Sequence, residues 1–164
     1  MPSLRPPRPG RLHGVSYVGK QRYLTLCTFE RHRWFEDPDV VSLVRTQFVR
    51  TAADQAFEIP AQCMMPDHAH LLAEGTTPAS DLCAFMSSFK QKTGFAFATK
   101  HGQRLWQVGY YDRMLRSDEA TPIVVRYILE NPVRAGLVSR FSDYPYSGSD
   151  RYTLEELAAG VSQG

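Results

Sequence analysis

The order of predicted elements along this 164-residue chain indicates an α+β fold of the ferredoxin-like, split βαβ kind. Two segments with helical periodicity alternate with segments rich in β-forming residues, and the resulting order is β-α-β-β-α-β. Such an order predicts an antiparallel four-stranded sheet with two helices on one face. An additional helix follows toward the C-terminus and must pack against this unit.

The elements of the first half are marked by strand composition and by turn residues. Residues 21–29 are rich in aromatic and β-branched side chains and predict a strand. Asp37-Pro38 begins a helix, because aspartate caps an N-terminus and proline suits the first helical position. Residues 57–65 and 68–74 predict two strands that form a hairpin around Pro66-Asp67.

The second half is less clearly marked. Its first helix has apolar residues at helical spacing and is capped by Thr77 or Ser80. A fourth strand lies between Leu105 and Arg116. The additional helix begins within residues 117–121 and runs to about Asn131, where Pro132 ends it.

The domain organisation follows from composition. Residues 1–14 form a basic, proline-rich arm, residues 15–149 a single domain, and residues 150–164 a C-terminal tail. Three cysteines without C-x-x-C spacing favour reduced thiols and a cytoplasmic location. No apolar run reaches membrane-spanning length, so no membrane partner is expected.

Basic residues cluster in two acid-poor stretches, although the net charge is only +2. This asymmetry suits a polyanionic partner such as DNA, and ordinary solvated surface is the alternative. The first stretch comprises Arg5, Arg8, Arg11, Lys20 and Arg22. The second comprises Lys90, Lys92, Lys100, Arg104, Arg113 and Arg116, with Asp112 as its one acid.

Two short motifs carry candidate chemistry. His68 and His70 alternate on a predicted strand, so they share one face about 7 Å apart and could hold a metal ion. A chance pair of histidines is the alternative. Tyr127 and Asn131 are four residues apart and share one helix face. The alternative there is a core tyrosine followed by a helix-terminating asparagine.

Together the motifs resemble the HUH tyrosine transposases, and most closely their REP-associated branch, which is related to the insertion-sequence-200-like enzymes. The resemblance covers roughly residues 22–149. It is carried by His68-Ala69-His70 after Pro66-Asp67, by residues 106–113 (WQVGYYDR), and by residues 127–138 (YILENPVRAGLV).

The resemblance implies a ferredoxin-like enzyme that cuts single-stranded DNA with a tyrosine nucleophile and Mg²⁺ or Mn²⁺. By position, Tyr127 would be the nucleophile, and His68, His70 and Asn131 the metal ligands. Ala69 stands where the family usually has a bulkier apolar residue. The product would be a 5′-phosphotyrosine, the substrates palindromic extragenic repeats that form hairpins, and the protein a monomer or homodimer.

Some alternatives stay open at this stage. Trp106, Tyr110, Arg113 and Arg116, with Arg5, Arg8 and Arg11 of the arm, are candidate DNA-binding residues. Trp106 and Tyr110 could instead belong to the core, and Tyr110 or Tyr111 could compete with Tyr127 as nucleophile. A non-catalytic DNA-binding or regulatory protein, and a metal-dependent hydrolase with no nucleic-acid role, are the rival functions.

Overall fold

A computed structural model describes residues 21–115 and 121–159 of the chain, and it has the predicted α+β architecture. The strands are β1 (Gln21–Cys27), β2 (Phe57–Met65), β3 (His68–Gly75), β4 (Tyr111–Met114) and β5 (Ser147–Gly148). The helices are α1 (Pro38–Asp54), α2 (Leu82–His101), α3 (Thr121–Leu129), α4 (Asn131–Arg134) and α5 (Leu154–Ala159). All strand pairs are antiparallel, in the order β4-β1-β3-β2-β5.

Helices α1 and α2 cover one face of the sheet. They pack on side chains of β1 and β3 that include Leu24, Leu26 and Leu71, all of them buried. The rings of Phe48 on α1 and Phe89 on α2 stack with their centroids 3.9 Å apart. This larger core lies between the sheet and the two-helix layer that the predicted element order implies.

The opposite face is covered by α3 and the C-terminal helix α5. Leu72 of β3 packs there with Val125 and Ile128 of α3 and with Leu157 of α5. Strand β3 is therefore buried on both faces, because Leu71 and Leu72 point in opposite directions and neither is exposed. None of the described helices has the length and apolar character needed to cross a membrane.

The predicted N-terminal cap of α2 was wrong. Asp81, rather than Thr77 or Ser80, caps α2, and its carboxylate accepts a hydrogen bond from the Ala84 amide at 3.1 Å. Ser80 instead donates to the Ala56 carbonyl and so fixes the preceding turn. This difference arises because several nearby residues have side chains able to cap, and tertiary contacts decide which of them does so.

Pro132 does not end the additional helix. Helix α3 stops at Leu129, and Pro132 lies in the first turn of the short helix α4, where its missing N–H is not needed. Tyr127 and Asn131 therefore lie on two consecutive helices rather than on one.

The C-terminal region adds two elements that the sequence did not indicate. Strand β5 pairs with Gln62 and Cys63 of β2, so the sheet has a fifth strand. Residues 154–159, within the segment predicted as a tail, form α5, and its Leu157 is only 2% exposed. Arg126 of α3 donates to the Leu157 carbonyl at 3.1 Å, so α5 braces α3.

The bracing by α5 can be tested with two leucines of the same helix. Leu157→Ala should lower the free energy of unfolding by about 2–3 kcal/mol, because it removes buried methyl groups and leaves a cavity. Leu154, which is 52% exposed, provides the matched control, and Leu154→Ala should change stability little. Urea unfolding measures both, and equal effects of the two variants would contradict docking of α5.

Candidate functional site

The two histidines of β3 face α3, on the side of the sheet away from α1 and α2. His68 lies opposite Cys27 of β1, and His70 lies opposite Thr25. The two imidazole centroids are 4.8 Å apart and their planes are nearly perpendicular. The predicted shared face of His68 and His70 is therefore present in the structure.

His70 is held through its Nδ1 atom. This nitrogen lies 3.1 Å from the Tyr23 hydroxyl and 3.1 Å from the Thr25 hydroxyl. Burial, reinforced by the charges of His68, Arg134 and Arg31, lowers the pKa of His70 to about 3. The imidazole is therefore neutral near pH 7, with Nε2 as the ring nitrogen left for a ligand.

His68 is oriented by a carboxylate. Its Nδ1 lies 2.6 Å from Asp67 Oδ1, and Asp67 Oδ2 accepts a hydrogen bond from Arg31 Nε at 3.0 Å. Burial alone would raise the pKa of Asp67, but the bonds with His68 and Arg31 lower it. Glu30 and Arg31 adopt left-handed backbone conformations, with φ of 52° and 57°, and this turn brings Arg31 to Asp67.

Tyr127 is the exposed aromatic residue of α3. Its side chain is 55% exposed, and its ring centroid lies 6.5 Å from that of Tyr23. The Tyr23 ring in turn lies 5.5 Å from that of His70. The structure thus brings Tyr127 and the histidine pair together on one face of the sheet, with Tyr23 between them.

Arg134 of α4 holds Tyr127 from the other side. Its guanidinium carbon lies 3.9 Å from the centroid of the Tyr127 ring, and its Nη2 donates to the Tyr127 carbonyl at 2.7 Å. Arg134 was not among the predicted site residues. Arg134 follows Tyr127 by seven residues, about two turns of a helix, and this spacing is the sequence signal that could have indicated their contact. Pro132 lies between them and obscures that signal.

Asn131 lies beside Tyr23. Its amide nitrogen donates to the Ile128 carbonyl at 2.9 Å. Burial raises the pKa of Tyr23, and a hydrogen bond with the Asn131 side chain partly offsets this rise. Asn131 is therefore near the Tyr23–His70 pair.

Within residues 21–115 and 121–159, no three His, Cys, Asp or Glu side chains are grouped so that they could hold a metal ion. The histidine pair is thus a candidate for two ligands, and the predicted third ligand, Asn131, would supply an amide oxygen rather than a histidine, thiolate or carboxylate donor. Cys63, opposite His70 on β2, is a poor donor because burial raises the pKa of its thiol to about 12.

The predicted DNA-binding block divides into interior and surface residues. Trp106 is buried in the larger core, and its Nε1 donates to Thr93 Oγ1 at 2.8 Å. Tyr110 is half-buried against the same core, and burial raises the pKa of its hydroxyl. Little of the Trp106 surface is therefore left for a DNA base. Lys90 holds this loop by donating to the Gln107 and Gly109 carbonyls.

Arg113 lies on the same face as the histidines. It pairs with Tyr23 in the β1–β4 register, and its guanidinium carbon is 6.0 Å from the Tyr23 ring centroid. The remaining predicted DNA-binding residues lie outside the described part of the chain. They are Arg5, Arg8, Arg11 and Arg116.

Comparison with solved structures confirms the fold. The fold matches a REP-associated tyrosine transposase solved with a REP hairpin, with a TM-score of 0.67, 19% identity, and coverage of 87% of this chain and 93% of that one. It also matches a Deinococcus radiodurans protein described as a transposase, with a TM-score of 0.52, 25% identity, and coverage of 72% and 95%. Both proteins are transposases by name.

Sequence comparison gives the family. The family model described as "Transposase IS200 like" matches residues 19–131, more than half of the chain. A Haemophilus influenzae protein named as a REP-associated tyrosine transposase is 28% identical over 132 residues, which cover 73% of this chain and 74% of that protein. The REP-associated tyrosine transposase of Escherichia coli K12 is 27% identical over 105 residues, covering 64% and 62%. The chain belongs to the IS200-like transposase family.

Proposed function

We propose that this protein cuts and rejoins single-stranded DNA beside palindromic hairpins, with Tyr127 as the nucleophile and His68 and His70 as ligands of a divalent cation. The observation that carries the proposal is the contact series from the exposed Tyr127 through Tyr23 to His70 on one sheet face. The substrate class comes from relatives named REP-associated transposases and from the fold neighbour solved with a REP hairpin.

The reaction is a transesterification at phosphorus. The Tyr127 oxygen attacks the phosphorus atom, the bond to the 3′ oxygen breaks, and the products are a 5′-phosphotyrosine and a free 3′-hydroxyl. The phenolic proton passes to solvent water, and water supplies a proton to the departing 3′ oxygen. Since the phosphotyrosine link conserves the ester, a second 3′-hydroxyl can attack it and rejoin the strand, as transposition requires.

The histidines fit the role of cation ligands. Both use Nδ1 for a hydrogen bond to a protein oxygen, which leaves Nε2 for a ligand and fixes the ring orientation. Asn131 could contribute its amide oxygen, because its amide nitrogen is already bonded to Ile128. A bound Mg²⁺ or Mn²⁺ would supply Lewis-acid stabilisation of the charge on the phosphate oxygens.

Arg134 would position the nucleophile. Its contacts with both the ring and the carbonyl of Tyr127 restrict the orientation of that side chain. Such restriction matters because in-line attack tolerates little misplacement of the reacting oxygen. The guanidinium charge beside the Tyr127 ring would also attract an anionic phosphate, which favours binding of the substrate.

The nucleophile can be tested with a labelled hairpin oligonucleotide that has single-stranded flanks. Tyr127→Phe should abolish the covalent protein–DNA adduct on denaturing gels while hairpin affinity stays near that of the wild type, because only an exposed hydroxyl is lost. Tyr152→Phe serves as the control and should still form the adduct. An adduct that persists in Tyr127→Phe, or that maps by mass spectrometry to Tyr110 or Tyr111, rules out this assignment. DNA binding without any adduct in the wild type favours the regulatory alternative.

The cation site can be tested by calorimetry in the absence of DNA. His68→Ala and His70→Ala should each weaken Mn²⁺ binding by about 10-fold or more, since even residues that only orient a ligand have effects of that size. His32→Ala removes an exposed histidine outside the site and should leave affinity unchanged. Unaltered Mn²⁺ affinity in the double His68/His70 variant would remove the basis for a metal site.

The role of Arg134 is testable by separating rate from affinity. Arg134→Ala should slow adduct formation by about 10- to 100-fold, because the Tyr127 oxygen is no longer held in position. Its effect on hairpin affinity should be much smaller. Arg140→Ala, which removes an exposed arginine paired with Asp143, is the control. A rate equal to that of the wild type would show that the stacking has no part in catalysis.

A further inference from the structure

Tyr111 lies on the same face of the sheet as the histidine pair. In the β1–β4 register, Tyr111 pairs with Thr25, and Arg113 pairs with Tyr23. Arg113 is on the histidine face, because its guanidinium lies over the Tyr23 ring. Alternation along the strand then puts Tyr111 on that face and Asp112 on the other, where Asp112 forms an ion pair with Arg22 at 3.4 Å.

The ring of Tyr111 is largely accessible. It is 57% exposed, whereas the adjacent Tyr110 packs against the core. In the described residues, β4 is an edge strand, with β1 on one side and no strand on the other. An extended nucleic acid strand could therefore cross β4 without displacing a paired strand.

Tyr111 is also aligned with the candidate reaction centre. It pairs with Thr25, which pairs with His70, and the Thr25 hydroxyl contacts His70 Nδ1. Two strand spacings of about 4.8 Å separate the Tyr111 and His70 backbones, so the two residues lie about 10 Å apart in one row of the sheet. This separation suits a nucleotide close to the phosphate that is cleaved.

We propose that Tyr111 is a stacking platform for an unpaired nucleobase of the single-stranded segment beside the cleaved phosphate, with the Arg113 guanidinium near the adjoining phosphate. The proposal rests on the proposed function, since the DNA must reach the histidine face. An exposed aromatic ring beside a cation is the arrangement that binds single-stranded nucleic acid by stacking. Stacking uses the face of the base, so this subsite would accept any base and would position the strand rather than read its sequence.

The test uses the Tyr127→Phe protein, in which binding can be measured without cleavage. Two DNAs share one hairpin, and only one of them has a single-stranded flank, with 2-aminopurine placed at successive flank positions. Adding Tyr111→Ala should weaken binding of the flanked hairpin by about 5- to 100-fold and leave binding of the unflanked hairpin unchanged. Tyr111→Phe should retain wild-type affinity and the quenching of 2-aminopurine at one position. Phe95→Ala removes another exposed ring, 75% accessible and on α2 across the sheet, and should have no effect.

The outcomes separate this inference from the proposed function. If neither hairpin binds the Tyr127→Phe protein, the proposed function fails. If the Tyr127→Phe protein binds both hairpins, and adding Tyr111→Ala leaves its affinity for the flanked hairpin unchanged, only the stacking role is overturned. An equal loss in Tyr111→Phe and Tyr111→Ala would also overturn it, because the hydroxyl rather than the ring would then be responsible. Thermal unfolding of each variant checks that a loss of DNA binding is not caused by misfolding.

Discussion

Burial of β3 on both faces is the constraint on which the rest of the site depends. A strand packed on both sides has little free surface for polar side chains, and Leu71 and Leu72 show that its middle is enclosed. His68 and His70 nevertheless lie on the face covered by α3. Each polar ring in such a position needs a hydrogen-bond partner. Asp67 provides one for His68, and Tyr23 and Thr25 provide partners for His70.

These partners also set the chemistry that the histidines can perform. A neutral imidazole whose Nδ1 is engaged presents Nε2 in a fixed direction, whereas a protonated ring would repel a cation. Burial, reinforced by the nearby positive charges of Arg134 and Arg31, favours the neutral form of His70. The same two arginines make the surroundings attractive to phosphate. The site therefore combines a neutral His70 with positive charge that attracts an anion.

The sequence predicted the parts of the molecule that depend on periodicity. The hairpin of β2 and β3, the helix after Asp37 and the shared face of the two histidines all follow from local spacing and turn residues. Strand β5 has only two residues and α5 only six, too few to produce a recognisable period. The cap at Asp81 was missed because Thr77 and Ser80 offer the same chemistry nearby. Arg134 was missed because its contact with Tyr127 depends on the path of the chain through Pro132, which no local rule supplies.

The brace between α5 and α3 has a genetic consequence. Leu157 packs against α3, and its carbonyl accepts a hydrogen bond from Arg126. It lies about thirty residues after Tyr127, the tyrosine on the helix that it supports. A stop codon or frameshift shortly after residue 150 would leave every recognisable motif of the gene intact, from His68 to Arg134. It would still remove the support of the helix that carries Tyr127. Gene copies shortened in this way would look functional to a motif search although their product lacked this support.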